Sequence, residues 1–222
     1  MSSATACAQL HRLGVRRTFM QGPRAFRTGQ HVVGPALTLQ FMPQREDIAG
    51  GGEQEYVEKH TALWKVFDAV QPGHVLVVQA FGAPGTGCLG EMLVRYFRNR
   101  GGAGIVVDGY LRDTPKLGAL DIPLWSHGGT AHYASQDELF PWGYQVPIAC
   151  AGVLVLPSDI VIADDDGAVA VPISLAEQIV ESARATEDWE AFSRERIDAG
   201  GRLDRYYPLD EEARREFDHS RS

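Results

Sequence analysis

The stretch Gly73–Asp113, GHVLVVQAFGAPGTGCLGEMLVRYFRNRGGAGIVVDGYLRD, leaves this chain few folds to choose from. An apolar, β-branched run from His74 to Ala80 ends in a glycine-rich turn. Leu89, Met92, Leu93, Tyr96 and Phe97 then recur at helical spacing on one face. Gly101-Gly102 stops that helix, and Ala103 to Val107 reads as a second buried strand. A strand–helix–strand unit of this kind predicts two parallel strands with a right-handed crossover, and so an α/β fold.

That topology has a chemical consequence. The C-terminal ends of both strands and the N-terminus of the helix share one edge of the sheet, where open α/β sheets bind ligands. Gly90 and Glu91 open the helix, and Arg112 and Asp113 follow the second strand, so all four are expected at one crevice. First-turn N–H groups, those of Gly90, Glu91, Met92 and Leu93, can hold a carboxylate or phosphate. Arg112 can grip an anion at two points. Asp113 and Glu91 offer hard oxygen ligands to a divalent cation such as Mg²⁺. Singly, each residue has a plainer use: close packing for Gly90, helix-dipole complementation for Glu91, a surface ion pair for Arg112 and Asp113.

Charge narrows the partners. The formal net charge is −8 and there is no basic run, which argues against nucleic acid. Arg95, Arg98 and Arg100 are expected to complement the C-terminus of the central helix. Cys7, Cys88 and Cys150 are far apart and odd in number, without zinc spacing, and read as reduced thiols. No segment reads as a signal peptide or membrane span, so the expected setting is the cytoplasm. The turn GAPGTG lacks the Lys-Ser/Thr ending of a nucleotide loop.

Along the rest of the chain, residues 3–13 are expected to be helical, with Ala4, Leu10 and Leu13 inward. Arg16 to Gly29 reads as loop, His31 to Met42 as a strand with Gly34-Pro35 at an edge or bulge, and Pro43 to Gln54 as a glycine-rich loop. Glu55 to Val70 reads as a helix burying Leu63, Val66, Phe67 and Val70. A short helical stretch follows Thr114-Pro115, and Ile122 to Trp125 is a short strand. Residues 126–145 read as a long loop carrying His127 and His132, which are expected to be hydrogen-bonded or solvent-facing rather than ligands. Asp164-Asp165-Asp166-Gly167 predicts a hairpin turn between Ile160–Ala163 and Ala168–Val171. Leu175 to Ile197 is a long amphipathic helix, and the tail holds the aromatic anchors Tyr206-Tyr207. One domain is expected over 1–222, with 185–222 as a C-terminal helix and arm that packs on a neighbouring subunit.

Glu91, then residues 92–111, then Arg112-Asp113 is similar to the acid-x20-Arg-Asp signature of the RraA-like family. GPALTLQFMPQRED at 34–47, VVDGYLRD at 106–113 and PSDIVIADDDGAVAVP at 157–172 resemble family segments too, although Ser158 replaces the usual Gly and Gln79 an Asp. The family includes class II 4-hydroxy-4-methyl-2-oxoglutarate aldolases and regulators of ribonuclease E activity. The resemblance implies a swivelling β/β/α-like fold with a mixed sheet, helices packed on it, and a homotrimer or homohexamer. It also implies a lyase that needs Mg²⁺, Mn²⁺ or another divalent cation and cleaves a 4-hydroxy-2-oxo acid to pyruvate through an enolate. Arg112, Asp113 and Glu91 would then be catalytic, Asp113 and Glu91 would hold the metal, and Gly90 to Leu93 with Arg112 would bind substrate. Oxaloacetate decarboxylation passes through the same enolate. Hydrolysis of a 2,4-dioxo acid and a non-catalytic regulatory role are the alternatives; no motif for a methyl donor is present.

Overall fold

The computed structural model describes residues 1–45, 47, 59–132 and 138–221. In chain order the elements are α1 (Ser3–Arg12), β1 (Phe19–Met20), β2 (Arg24–Ala25), β3 (Val32–Pro43), α2 (Ala62–Asp68), β4 (Val75–Gln79), β5 (Gly87–Leu89) and α3 (Glu91–Asn99). Then come β6 (Gly104–Asp108), β7 (Tyr110–Leu111), α4 (Thr114–Gly118), β8 (Leu124–Ser126), β9 (Gly128–Gly129), β10 (Leu139–Tyr144), β11 (Ile148–Cys150) and β12 (Val153–Val155). β13 (Ile160–Asp164), β14 (Gly167–Val171), α5 (Ala176–Asp198), α6 (Leu203–Tyr206) and α7 (Glu211–Ser220) complete the chain.

The expected β–α–β unit is present. β4 and β6 run parallel, with Val75 opposite Gly104 and Gln79 opposite Asp108. β3 adds in parallel beside β4, and β8 beside β6. Antiparallel strands join this parallel core: β13 and β10 on β3, β14 on β13, β1 on β14, and β2 on β8. Among the described residues the result is a nine-stranded mixed sheet. β4 and β6 are buried at every residue, as strands covered on both faces must be. Alternation sorts their side chains. Leu37, Leu76, Val78, Ile105 and Val107 pack with Val66, Phe67, Val94 and Phe97 of α2 and α3. Ala36, Val75, Val77 and Val106 pack instead with Trp125, Val153, Val161 and Ala170.

α3 ends as expected. Gly101 takes φ 87°, the Gly101 N–H bonds to Arg98 O at 2.9 Å and the Gly102 N–H to Phe97 O at 3.1 Å, a glycine C-terminal motif. The Asp164–Gly167 turn joins an antiparallel pair. The Asp164 carboxylate also accepts the Ser3 N–H and hydroxyl at 2.7 and 2.6 Å, tying the start of α1 to the hairpin.

Several expectations are corrected. The face of α3 that enters the core is Glu91, Val94 and Phe97. Met92 and Tyr96, expected on one face with Leu89, Leu93 and Phe97, are 72 % and 42 % exposed, while Leu89 and Phe97 are buried. In α1, Ala6, Gln9 and Leu10 are buried, while Ala4 and Leu13 are exposed. Arg16–Gly29 is not all loop: it contains β1 and β2. Residues 126–145 contain β9 and β10, the latter paired along β3. Gly34-Pro35 is not on a free edge: both residues pair with β13, and β3 takes up β4 from Ala36 onward. Gly34 lacks a side chain because the Gly73 carbonyl fills the space a Cβ needs. Leu63, Val66, Phe67 and Val70 are buried as expected. The glycines at 50–52 and the first residues of the helix expected from Glu55 lie outside the described residues.

The chain forms two compact units, residues 2–176 and residues 177–222 with Met1. The second is helical and has its own small core of Phe192, Tyr206, Ala213 and Phe217. Among the described residues no helix is long and apolar enough to cross a membrane.

Candidate active site

Three short strands bring the predicted residues together. β5, β7 and β9 form a separate parallel sheet, with Gly87 opposite Tyr110 and Tyr110 opposite Gly128. The ladder continues past the strand ends: the Arg112 N–H bonds to Leu89 O at 3.0 Å, and the Thr130 N–H to Leu111 O at 2.9 Å. Parallel alignment therefore delivers Gly90-Glu91, Arg112-Asp113 and Thr130 to the same edge.

Gly90 is the N-cap of α3, with extended backbone at φ −114° that any residue adopts. Its missing side chain matters for space instead. A Cβ there would sit 2.8 Å from Arg112 Nε and 2.9 Å from Asp113 Oδ2. Arg112 and Asp113 thus lie directly over the start of the helix. Asp113 adopts the left-handed conformation, φ 60° and ψ 32°, which Asp tolerates better than most residues. Its main-chain oxygen starts α4 by accepting the Lys116 and Leu117 N–H groups, while Oδ2 accepts the Glu91 N–H at 3.3 Å. The N–H groups of Met92 and Leu93, also in the first turn, have no acceptor within the helix.

Glu91 is buried and engaged. Its Oε1 accepts two bonds from Arg95, at 2.6 and 3.0 Å, an i,i+4 pair. This corrects the expectation that Arg95 serves the helix C-terminus. Arg100 does lie there, bonding Asp68 O at 3.0 Å and lying over the Tyr96 ring.

A cavity of about 360 Å³ opens beside these residues. Leu63, Trp64 and Phe67 of α2 and Met92, Leu93 and Tyr96 of α3 line it, together with Gly90 and Arg112. Sequence spacing put Met92, Leu93 and Tyr96 on one side of α3, but only the position of α2 shows that they border a cavity.

Cys88 is fully buried, and burial pushes its thiol up to about 12, so it is no nucleophile near neutral pH. Burial raises Cys150 as well. His127 is hydrogen-bonded, its Nε2 3.0 Å from Asp108 Oδ1, while Asp108 Oδ2 accepts the Ala151 N–H at 2.9 Å. His132 is exposed, and its N–H bonds Thr130 Oγ1 at 3.3 Å. Gln79 ties strands together: its amide donates to Phe41 O and its Oε1 accepts the Ala149 N–H at 2.8 Å.

Among the described residues no group of three or more His, Cys, Asp or Glu side chains is placed to hold a metal ion. A zinc-type cage of protein ligands therefore does not fit. A hard cation that keeps most of its coordination for water and substrate does fit. Asp113 would be the carboxylate to hold it, since Arg95 engages Oε1 of Glu91.

A family model, described as Aldolase/RraA, matches residues 3–170. The chain belongs to the RraA-like family. A Halalkalibacterium halodurans protein provisionally named 4-hydroxy-4-methyl-2-oxoglutarate aldolase is 32 % identical over 73 % of this chain and 70 % of its own. The Thermus thermophilus 4-hydroxy-4-methyl-2-oxoglutarate aldolase is 33 % identical over 52 % of this chain and 69 % of its own. The crystal structure of Streptomyces coelicolor RraAS2, described as an unusual member of the RNase ES inhibitor RraA protein family, superposes with a TM-score of 0.80. It is 60 % identical, over 87 % of this chain and 91 % of that one. This RraA-like chain thus has the mixed α/β fold of its family.

Proposed function

We propose that this RraA-like chain is a divalent-metal-dependent lyase that cleaves a 4-hydroxy-2-oxo acid into pyruvate and a carbonyl compound. The observation that carries the reading is the close approach of Arg112 and Asp113 to Gly90 at the N-terminus of α3, where Asp113 Oδ2 accepts the Glu91 N–H. The family and its aldolase relatives support it.

In this reading the substrate carboxylate takes the N–H groups of the first turn of α3, including those of Met92 and Leu93. Arg112 faces the 2-oxo oxygen. A water in the site takes the C4 hydroxyl proton, the C3–C4 bond breaks, and its electron pair moves into C2–C3 to place negative charge on the 2-oxo oxygen. The Arg112 guanidinium stabilises that enolate charge, and proton return to C3 gives pyruvate. Arg95 holds Glu91 in place at the floor of the site. A divalent cation held by Asp113 would supply Lewis acidity to the same oxygen. Oxaloacetate, by loss of CO₂, reaches the same enolate and is an expected second substrate.

The decisive assay measures pyruvate release from 4-hydroxy-2-oxo acids, 2,4-dioxo acids and oxaloacetate in the presence of Mg²⁺. Release from the first class supports the lyase; release from the 2,4-dioxo acids alone makes it a hydrolase. The 60 % identity to RraAS2 favours a second reading, a binding protein acting on a ribonuclease. Release from no member of the panel would leave that reading in place of the lyase.

Gly90→Ala gives a sharper check. The added Cβ displaces the flexible ends of Arg112 and Asp113, so pyruvate release is expected to fall by at least about tenfold, on the scale of a lost charge-stabilising donor. The melting temperature is expected to change little, because the backbone at Gly90 suits any residue. Wild-type activity in this variant would show that Arg112 and Asp113 need not approach Gly90.

A further inference from the structure

The cavity beside the site says something about the half of the substrate that is not pyruvate. Its walls are two facing apolar stripes: Leu63, Trp64 and Phe67 from α2, and Met92, Leu93 and Tyr96 from α3. Phe67 and Tyr96 meet edge to face, with ring centroids 6.4 Å apart at 79°. Leu63 and Phe67 are anchored in the main core and Trp64 and Leu93 pack against it, so these walls belong to the folded body of the unit. Arg112 and Gly90 line the same cavity, which makes it continuous with the proposed pyruvyl site.

Charge along the lining is sparse. Among the described lining residues Arg112 is the one base, and the pyruvyl end already uses it. The other charged lining residue is Asp68, an acid. Of the two nearby arginines of α3, Arg95 is paired with Glu91, while Arg100 donates to the Asp68 carbonyl and lies over the Tyr96 ring without lining the cavity itself. Cys88, also in the lining, is an uncharged thiol near neutral pH. A distal carboxylate placed here would lose water against mostly apolar walls, with the lining's one base, Arg112, already used and Asp68 beside it. An alkyl or aryl group would lose nothing polar and fill a space within the usual size of small-molecule pockets.

Resting on the lyase reading for the pyruvyl half, we propose that the α2–α3 cavity receives the distal half of the substrate and selects an uncharged alkyl or aryl group over a carboxylate. Tyr96 and Asp68 are the specificity-determining residues, the first as an apolar wall and the second as a charge that repels acids.

The test uses binding, so that it stands apart from catalysis. 4-Phenyl-2-oxobutanoate and 2-oxoglutarate are titrated separately into the full chain with Mg²⁺, by calorimetry. The phenyl compound is expected to bind at least about tenfold more tightly, since even one methylene in an apolar pocket is worth that much. Tyr96→Ala is expected to remove most of this preference by weakening the phenyl compound alone. Asp68→Lys is expected to raise the affinity for 2-oxoglutarate. Both residues are exposed at the surface, so both variants should fold. Equal or tighter binding of 2-oxoglutarate by the wild type would overturn the proposal. So would binding of neither compound, or a Tyr96→Ala effect equal for both. If the preference holds but no 4-hydroxy-2-oxo acid releases pyruvate, the cavity assignment stands and the lyase reading fails. If pyruvate is released but the carboxylate-bearing substrates are preferred, the lyase stands and this inference fails.

Discussion

Arg112→Lys is expected to lower turnover by roughly tenfold to a thousandfold, the range for removal of one donor that stabilises a developing oxyanion. Lysine keeps one charge on a flexible stem. It loses the planar fork that can meet two oxygens at once. The guanidinium lies over Gly90, at the helix start where substrate charge is proposed to gather. The Arg112 N–H bond to Leu89 O belongs to the backbone and survives the change, so the small sheet stays intact. Turnover and thermal unfolding measured together decide the matter. A rate that falls with little change in melting temperature places Arg112 in the chemistry. A wild-type rate would remove it from the site.

Chelation of divalent cations is expected to abolish pyruvate release, and added Mg²⁺ or Mn²⁺ to restore it. Asp113→Asn should reproduce the chelated state at ordinary metal concentrations. Asparagine suits this test because it keeps the shape of the side chain and also tolerates the left-handed backbone seen at φ 60°. The start of α4 depends on the main-chain oxygen of residue 113, which the substitution leaves in place. Glu91→Gln should act differently. Its carboxylate is bound to Arg95, so the substitution breaks an ion pair within one helix and should affect rate less than Asp113→Asn. Metal affinity measured by calorimetry separates the two. Full activity after exhaustive metal removal would exclude the class II mechanism.

Much of this site was legible in the residues because its parts are local. Gly90-Glu91 and Arg112-Asp113 each lie where the chain leaves a strand of the β–α–β unit for the next helix, and a right-handed crossover has one edge at which they can meet. The strands β5, β7 and β9 that make the meeting close were not legible. Segments as short as Tyr110–Leu111 and Gly128–Gly129 have no periodicity to read; they exist because the neighbouring backbone offers partners. The same holds for β10, whose Gly, Pro and Trp content reads as loop yet pairs along the far part of β3.

The sequence by itself determined the parallel pair β4 and β6, the glycine stop of α3, the hairpin at Asp164–Gly167 and the meeting of Arg112-Asp113 with Gly90-Glu91 at the helix start. Each rests on a pattern within a few turns of chain. The partners of Arg95, the left-handed turn at Asp113 and the cavity between α2 and α3 were decided only by tertiary structure. Spacing along α3 puts Met92 and Tyr96 on a common stripe, but a stripe becomes core or pocket wall according to what is packed opposite it. Here α2 stands across from that stripe with Leu63, Trp64 and Phe67, leaving space between the two helices that local sequence cannot encode.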